Sequence, residues 1–396
     1  MPPLSFTDAR AVVLRELKAA CVVPRIESVG LDRASLRVLA EDISADRDYP
    51  PFDRSARDGF AVRAADLPGS VRVIGEVRAG EAFAGEVKPG EAVEIMTGAP
   101  VPAGADAVVM VEHCSRNGDS VGTDKVPERG ANIAPRGSEA KAGSVLLSSG
   151  LRIDFTAVSL LASAGHGSVR VFERPRVAIL ATGDEIVDIA EQPGPQQIRN
   201  SNSWSLAAQV DRAGGIPVVL PVARDTREET RRLIEKGFSE SGLLLLSGGV
   251  SAGKYDVVEL ALGELGAEFF FDRVLIQPGQ PLVFGRAAGK FFFGLPGNPG
   301  STMVTFELFA RAAIDVLCGA SETPLAMSLA RLTCDFRHRT GLTRFLPAWI
   351  DRGEVTPIAW QGSGDVTALC RANAFLVADA GQGEYPKGDL IPVLLK

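Results

Sequence analysis

The sequence predicts a multidomain chain of α/β and β parts, built around a doubly wound, mostly parallel sheet. Three observations carry this. With 396 residues the chain exceeds what one compact core holds, so two to four domains are expected. Its 42 glycines and 25 prolines suit many short strands joined by tight turns better than a helix bundle. From about 174 to 320, apolar strand-like runs alternate with helical runs, the pattern of parallel strands with crossover helices.

Taken in order, residues 5–20 read as a helix, with Ser5 as N-cap, Asp8 three positions on and apolar residues at helical spacing. Residues 25–40 read as a short strand and a second helix. A loop dense in proline and charge follows (DRDYPPFDRSARDGFAV). From 71 to 125, short alternating runs (VRVIGEV, EAVEIMTG, ADAVVMVEH) predict a β-rich region. A Gly-bounded strand and an apolar helix (FTAVSLLASAG) come next. RVAILATG is a strand without alternation, which implies burial on both faces. Helix SNSWSLAAQVDRAGG, strand IPVVLPVA, helix REETRRLIEKGF, strand LLLLSGG and helix YDVVELALGEL follow. Strands around FFFDRVLI, PLVFG and KFFFGLPG lead into a last helix, STMVTFELFARAAIDVL. After Pro324, five short apolar runs in about seventy residues predict a separate small β-barrel or sandwich.

Composition excludes several classes. The chain is 45% hydrophobic and 23% charged, ordinary for a globular protein. Net charge is −7, and no basic stripe or Arg-rich arm is present, so a nucleic-acid partner is not expected. The five cysteines (Cys21, Cys114, Cys318, Cys334, Cys370) form no CxxC pair, and the three histidines form no HExxH, which argues against zinc. The thiols read as inert groups in a reducing compartment. No apolar run has the length of a membrane span and no leader pattern opens the chain, so a soluble cytoplasmic protein is expected.

In an open α/β sheet, ligands bind beyond the carboxyl ends of the strands. Three strands here run into glycine-bearing polar loops before a helix: AILATGDEI, LLLLSGGVSAGKYD and FFFGLPGNPGST. Any one of them is also what a tight turn needs. Three on one edge point to a phosphate-bearing or oxyanion ligand, since glycine admits close backbone approach and helix starts present free N–H groups. Neither GxxxxGK[ST] nor GxGxxG is present, which argues against ATPases and NAD dehydrogenases. Asp184, Glu185, Asp225 and Asp256 fall at or after strand ends. Carboxylates beside an anion site commonly hold Mg²⁺; the alternative is that each is a helix cap or turn residue. No Ser–His or Cys–His pair offers a nucleophile.

PPFDRSARDGFAV (50–62) resembles the PxFDNSAMDGYAV signature of the MoeA/gephyrin family. IMTGAPVPAGADAVVMVE, RGANIAPRGSEAKAGSVLL, LATGDEIV, IRNSN, the Arg224–Asp225 turn, LLSGGVSAGKYD, QPGQP and GLPGNPGS follow in that family's order. The resemblance implies four domains. A discontinuous mixed N-terminal domain takes 1–25, 43–52 and 141–173, and a β-rich lobe takes 26–42 and 53–140. A MogA-like molybdopterin-binding α/β domain takes 174–320, and a C-terminal β-barrel 324–396. It further implies an elongated homodimer with the cleft between one subunit's α/β domain and the other's β-rich lobe. It leaves room for other cofactor-maturation proteins as partners. The implied substrates are adenylated molybdopterin and molybdate, with Mg²⁺ assisting. Matched residue by residue, it implies catalytic roles for Asp58, Thr97, Glu185, Asp225 and Asp256, with Glu185, Asp225, Asp256 and Glu139 as metal ligands. Thr182, Gly183, Ser247, Gly248, Gly249, Ser251, Gln277, Gln280, Pro296, Gly297, Asn298, Arg344 and Ser363 are the expected substrate- and anion-binding positions.

The chain departs from that pattern in places. Gln277 and Gln280 stand where the family commonly has lysines, and neutral amides bond an oxyanion about half as strongly as charged donors. Arg54 and Arg57 replace asparagine and methionine near Asp58, Lys254 stands where an acidic residue is common, and Gly300 replaces a bulkier apolar residue. Two readings stay open. In one, Arg54, Arg57 and Lys254 restore positive charge to an active enzyme. In the other, an altered paralogue carries a pterin without turnover. An adenylyltransferase working through the α/β domain alone is a third, weakened by the additional lobes.

Overall fold

The computed structural model describes residues 1–20, 23–249 and 257–396. The chain divides into two compact units: 1–40, 150–154 and 169–396 form the first, and 41–149 and 155–168 the second.

In the first unit, the helix Phe6–Ala19 starts as expected: the Ser5 hydroxyl accepts the Asp8 N–H at 3.1 Å and donates to Asp8 Oδ2 at 2.7 Å. Ala9, Val13 and Leu17, one face of the helix, are buried. The second helix expected in 25–40 is absent. Ile26–Gly30 is a strand paired with Ser168–Phe172, and only a 3₁₀ turn, Leu31–Arg33, follows. The backbone N–H groups of Leu36 and Leu39 bond the carbonyls of Ile153 and Leu151, so partners distant in sequence outcompete local helical ones.

The α/β sheet has six strands in the order Ile216–Val219, Arg176–Ala181, Leu243–Ser247, Lys290–Leu295, Pro281–Ala287, Glu268–Arg273. The first four are parallel; Pro281–Ala287 runs antiparallel to both its neighbours. Helices Asn202–Arg212, Arg227–Glu240, Val257–Glu264 and Pro299–Thr305 complete the domain. The central strands lack alternation because both faces are covered. Val177, Ile179, Leu243, Leu245, Phe291 and Phe293 enter one core. Ala178, Leu180, Leu244, Leu246 and Phe292 enter the other. The last helix carries a π-helical segment, Phe306–Ala310, before continuing over Arg311–Leu317.

The C-terminal strands Met327–Leu332, Thr343–Asp351, Glu354–Pro357, Ala374–Ala378 and Leu390–Leu395 close into a barrel, because Thr343–Asp351 pairs with both Glu354–Pro357 and Ala374–Ala378. Ala330, Leu332, Ala348, Val355, Leu376, Ile391 and Val393 fill it. A short strand from the α/β sequence, Ile276–Gln277, adds parallel to Thr343–Asp351, placing Gln277 opposite Arg344.

The second unit contains a six-stranded sheet ordered Ala107–Met110, Gly59–Val62, Glu91–Ile95, Gly69–Val77, Ser120–Thr123, Ser115–Asn117. Phe60, Val62 and Val109 face one core, and Ala61, Val93 and Val108 the other. Gly59 has no room for a side chain: a Cβ there would lie 1.9 Å from the Val109 carbonyl oxygen. That close approach fixes the position of Asp58, the residue before it.

Candidate functional site

The carboxyl ends of three parallel strands open on a cavity of about 1060 Å³ in the first unit. Strand Arg176–Ala181 delivers Thr182, Gly183 and Glu185; Leu243–Ser247 delivers Ser247, Gly248 and Gly249; Lys290–Leu295 delivers Pro296, Gly297 and Asn298. Gln277 and Gln280 line a further wall, and Ser363, with Leu342 and Trp360, comes from the C-terminal part.

Short bonds hold the loop backbones. The Thr182 N–H donates to Ser247 O at 3.1 Å, and the Gly248 N–H to Leu295 O at 3.3 Å. Gly248 and Gly249 adopt φ of +88° and +63°, and a Cβ on Gly249 would meet Thr182 Oγ1 at 2.6 Å. Only glycine fits that turn. Thr302 donates to the carbonyl oxygens of Pro296 and Asn298 at 2.5 and 3.0 Å, fixing the third loop on its helix.

Glu185 and Asp225 both line this cavity. The Glu185 carboxylate packs over Gly183, where a Cβ would lie 2.6 Å from its Oε2. Asp184 braces the turn beside them. Its Oδ1 accepts the Asp225 N–H at 3.2 Å, and its carbonyl accepts Arg224 Nη1 at 3.0 Å. Among the described residues no group of three or more His, Cys, Asp or Glu side chains is placed to hold a metal. Two carboxylates in one cavity lining could supply part of the shell of an Mg²⁺ completed by substrate oxygens and water, and do not make an all-protein cage. Asp256 and Ser251, expected at this site, and Lys254 lie outside the described residues.

Other expected residues lie elsewhere. Arg344 is outside the cavity lining, opposite Gln277 on the ladder, and its buried Nε has no hydrogen-bond partner among the described residues. Asp58, Thr97 and Glu139 belong to the second unit. Asp58 Oδ1 accepts both the backbone N–H of Thr97 at 2.6 Å and its hydroxyl at 2.7 Å. These two bonds hold the Asp58 carboxyl below the usual carboxylate range. Glu139 accepts from Arg54 at 2.6 Å, so this arginine already has a carboxylate partner.

Sequence reasoning missed Asn202, Trp360 and Arg199 in the cavity lining. Asn202 stands in plain view within IRNSN. Arg199, the cation the described lining contains, donates to the carbonyls of Ile189 and Glu191 and to Gln192 Oε1.

Three family patterns match the chain in succession: the MoeA N-terminal region (domain I and II) over 4–165, the probable molybdopterin binding domain over 178–315, and the MoeA C-terminal region (domain IV) over 329–396. The molybdopterin molybdenumtransferase of Bacillus subtilis (strain 168) is 38% identical, covering 93% of this chain and 89% of its own. That of Staphylococcus epidermidis RP62A is 33% identical over 99% of this chain and 96% of its own. The crystal structure of the molybdopterin biosynthesis moeA protein from Pyrococcus horikoshii OT3 matches the whole of both chains at 30% identity, with a TM-score of 0.81. On this sequence and structural agreement, spanning both units, the chain belongs to the MoeA family of molybdopterin molybdenumtransferases.

Proposed function

We propose that this enzyme inserts molybdate into adenylated molybdopterin with release of AMP, assisted by Mg²⁺. One observation carries the reading: three glycine-bearing strand ends and two carboxylates, Glu185 and Asp225, share one cavity in the segment that matches a molybdopterin binding domain. Backbone N–H groups of Gly249 and along Gly297–Asn298 hold oxyanions of the pterin phosphate or adenylate. Gln277 and Gln280 orient an oxyanion through neutral amide donors, beside the cationic Arg344 and the Ser363 hydroxyl. Glu185 and Asp225, with Asp256, would hold Mg²⁺, which when bound would neutralise charge on the reacting oxyanions. Asp58 fixes the Thr97 hydroxyl, whose proton is committed to the carboxylate and whose lone pairs remain available.

The same reading includes a homodimer, a soluble cytoplasmic setting, Glu139 as a further metal contact, and the four-domain division. No helix among the described residues is long and apolar enough to cross a membrane. The decisive experiment mixes purified protein with adenylated molybdopterin, molybdate and Mg²⁺ and follows AMP release with metal incorporation. Molybdate-dependent release with metallated product is expected. Tight binding without release overturns the reading in favour of a pterin carrier, the alternative that the neutral Gln277 and Gln280 favour. Sedimentation velocity on the same sample tests the dimer.

A further inference from the structure

Asn202 opens the helix Asn202–Arg212 and lines the cavity. Its Nδ2 donates to Ser247 Oγ at 2.8 Å and to the carbonyl oxygen of Gly297 at 2.7 Å. A carbonyl oxygen only accepts, so the Gly297 contact fixes which way the amide points. The amide nitrogen thus ties two of the three glycine-bearing loops together. Its other end, Oδ1, is buried and has no hydrogen-bond partner among the described residues. The Thr182 hydroxyl, on a residue only 4% exposed that lines the same cavity, is likewise buried and unpartnered among the described residues. The two residues flank one strand end, Thr182 bonding the carbonyl and Asn202 the hydroxyl of Ser247.

Buried polar atoms are almost always bonded, and an amide oxygen left bare costs its full desolvation. Oδ1 can only accept, so what completes it brings an N–H or O–H. Thr182 Oγ1 can donate or accept, so it suits a group presenting either. A planar edge with N–H donors beside a carbonyl meets both demands. The pyrimidine edge of a pterin, with its ring N–H, amino group and carbonyl, is such an edge.

We propose that Asn202 and Thr182 form the subsite that reads the pyrimidine edge of the bound pterin: Asn202 Oδ1 accepts an N–H, and Thr182 Oγ1 bonds the adjoining carbonyl or amino group. Asn202 is also a positioning residue, because the amide that reads the ring holds the Ser247 and Gly297 loops. The assignment rests on the pterin reading of the cavity proposed above, and it adds the part of the molecule that faces the cavity wall.

The test uses full-length protein and two probes: free pterin, and its 2-dimethylamino-3-methyl derivative, which keeps the ring but presents no N–H on that edge. Fluorescence titration measures both against wild type, Asn202→Ala, Thr182→Val and Thr182→Ser. Wild type is expected to prefer pterin by about tenfold, the scale of one buried hydrogen bond left unmade. Asn202→Ala is expected to bring that preference close to one; Thr182→Val weakens pterin binding and Thr182→Ser restores it. Equal binding of both probes by wild type overturns the edge-reading subsite and leaves the pterin cavity standing. Binding of neither probe overturns the pterin reading itself. An undiminished preference in a folded Asn202→Ala overturns the role of Asn202. The wild-type probe pair decides the matter even where a variant loses its fold by circular dichroism.

Discussion

Asp58 and Thr97, thirty-nine positions apart, share one carboxylate oxygen: Asp58 Oδ1 takes both the N–H and the O–H of Thr97. Bonds to the charged form lower the carboxyl's pKa relative to the unfolded chain. A depressed folded value stabilises the fold above the unfolded carboxylate pKa, and this contribution is lost as pH falls through the folded value. NMR titration of the Asp58 carboxyl carbon is therefore expected to show a midpoint below the ordinary carboxylate range. Thr97→Val, which keeps one donor of the two, raises that midpoint. An unchanged midpoint in the variant removes the hydroxyl from the account.

The cavity carboxylates make a separate prediction. Glu185→Gln and Asp225→Asn each lower molybdate-dependent AMP release by about 10–100-fold, with part of the loss recovered at high Mg²⁺. Thermal unfolding midpoints move little, since both side chains lie at the cavity wall and not in a core. A loss of activity insensitive to Mg²⁺ would count against a metal role.

Gln277→Lys combined with Gln280→Lys tests the neutral lining. Charge-assisted donors are about twice as strong as neutral ones. Molybdate binding, measured calorimetrically, is expected to tighten in the double variant and to weaken again as salt is added, while wild-type binding depends on salt less steeply.

Gly300, where the family resemblance implies a bulkier apolar residue, has no room for one here. Its N–H donates to Ser363 O at 2.7 Å, and a Cβ would lie 2.8 Å from that same oxygen. Gly300→Val is expected to cost about 1–3 kcal/mol, read by denaturant unfolding, and to displace Ser363 from the cavity. A stable variant with unaltered ligand affinity would show that the 361–364 loop yields freely.

Burial pushes the Cys318 thiol up to about 11, so at pH 8 it carries almost no thiolate. Iodoacetamide labelling followed by peptide mass spectrometry is expected to modify the exposed Cys334 and Cys370 within minutes and to leave Cys318 untouched until the protein unfolds. Labelling of Cys318 in native protein would place local opening at the last helix.

The α/β strands are legible in the sequence because burial on both faces writes an unbroken apolar run, as in Val177–Ala181 or Leu243–Leu246. The second helix expected near the N-terminus fails because the N–H groups of Leu36 and Leu39 bond carbonyls more than a hundred residues away, which local periodicity does not encode. The π-helical segment is hidden for a related reason: within it, Glu307 is buried against Arg212 and Gln209 of a different helix. At the site, the glycine loops, Glu185 and Asp225 stand out by type and by place after strands. Asn202 does not, because its significance lies in facing Gly297, ninety-five positions on.

The first helix is made early and used late. Arg10 bonds the carbonyls of Leu308 and Thr323, the former 298 positions on, and Leu4 bridges Val274. At about 5–20 residues per second of synthesis, Phe6–Ala19 waits on the order of 15 to 60 s for the surface that covers it. During that interval Ala9, Val13 and Leu17 form an apolar stripe on a nascent chain, with its eventual cover still inside or ahead of the ribosome. The first unit is thus completed only once residues 308–323 have emerged, and until then the helix Phe6–Ala19 needs shelter for its apolar stripe.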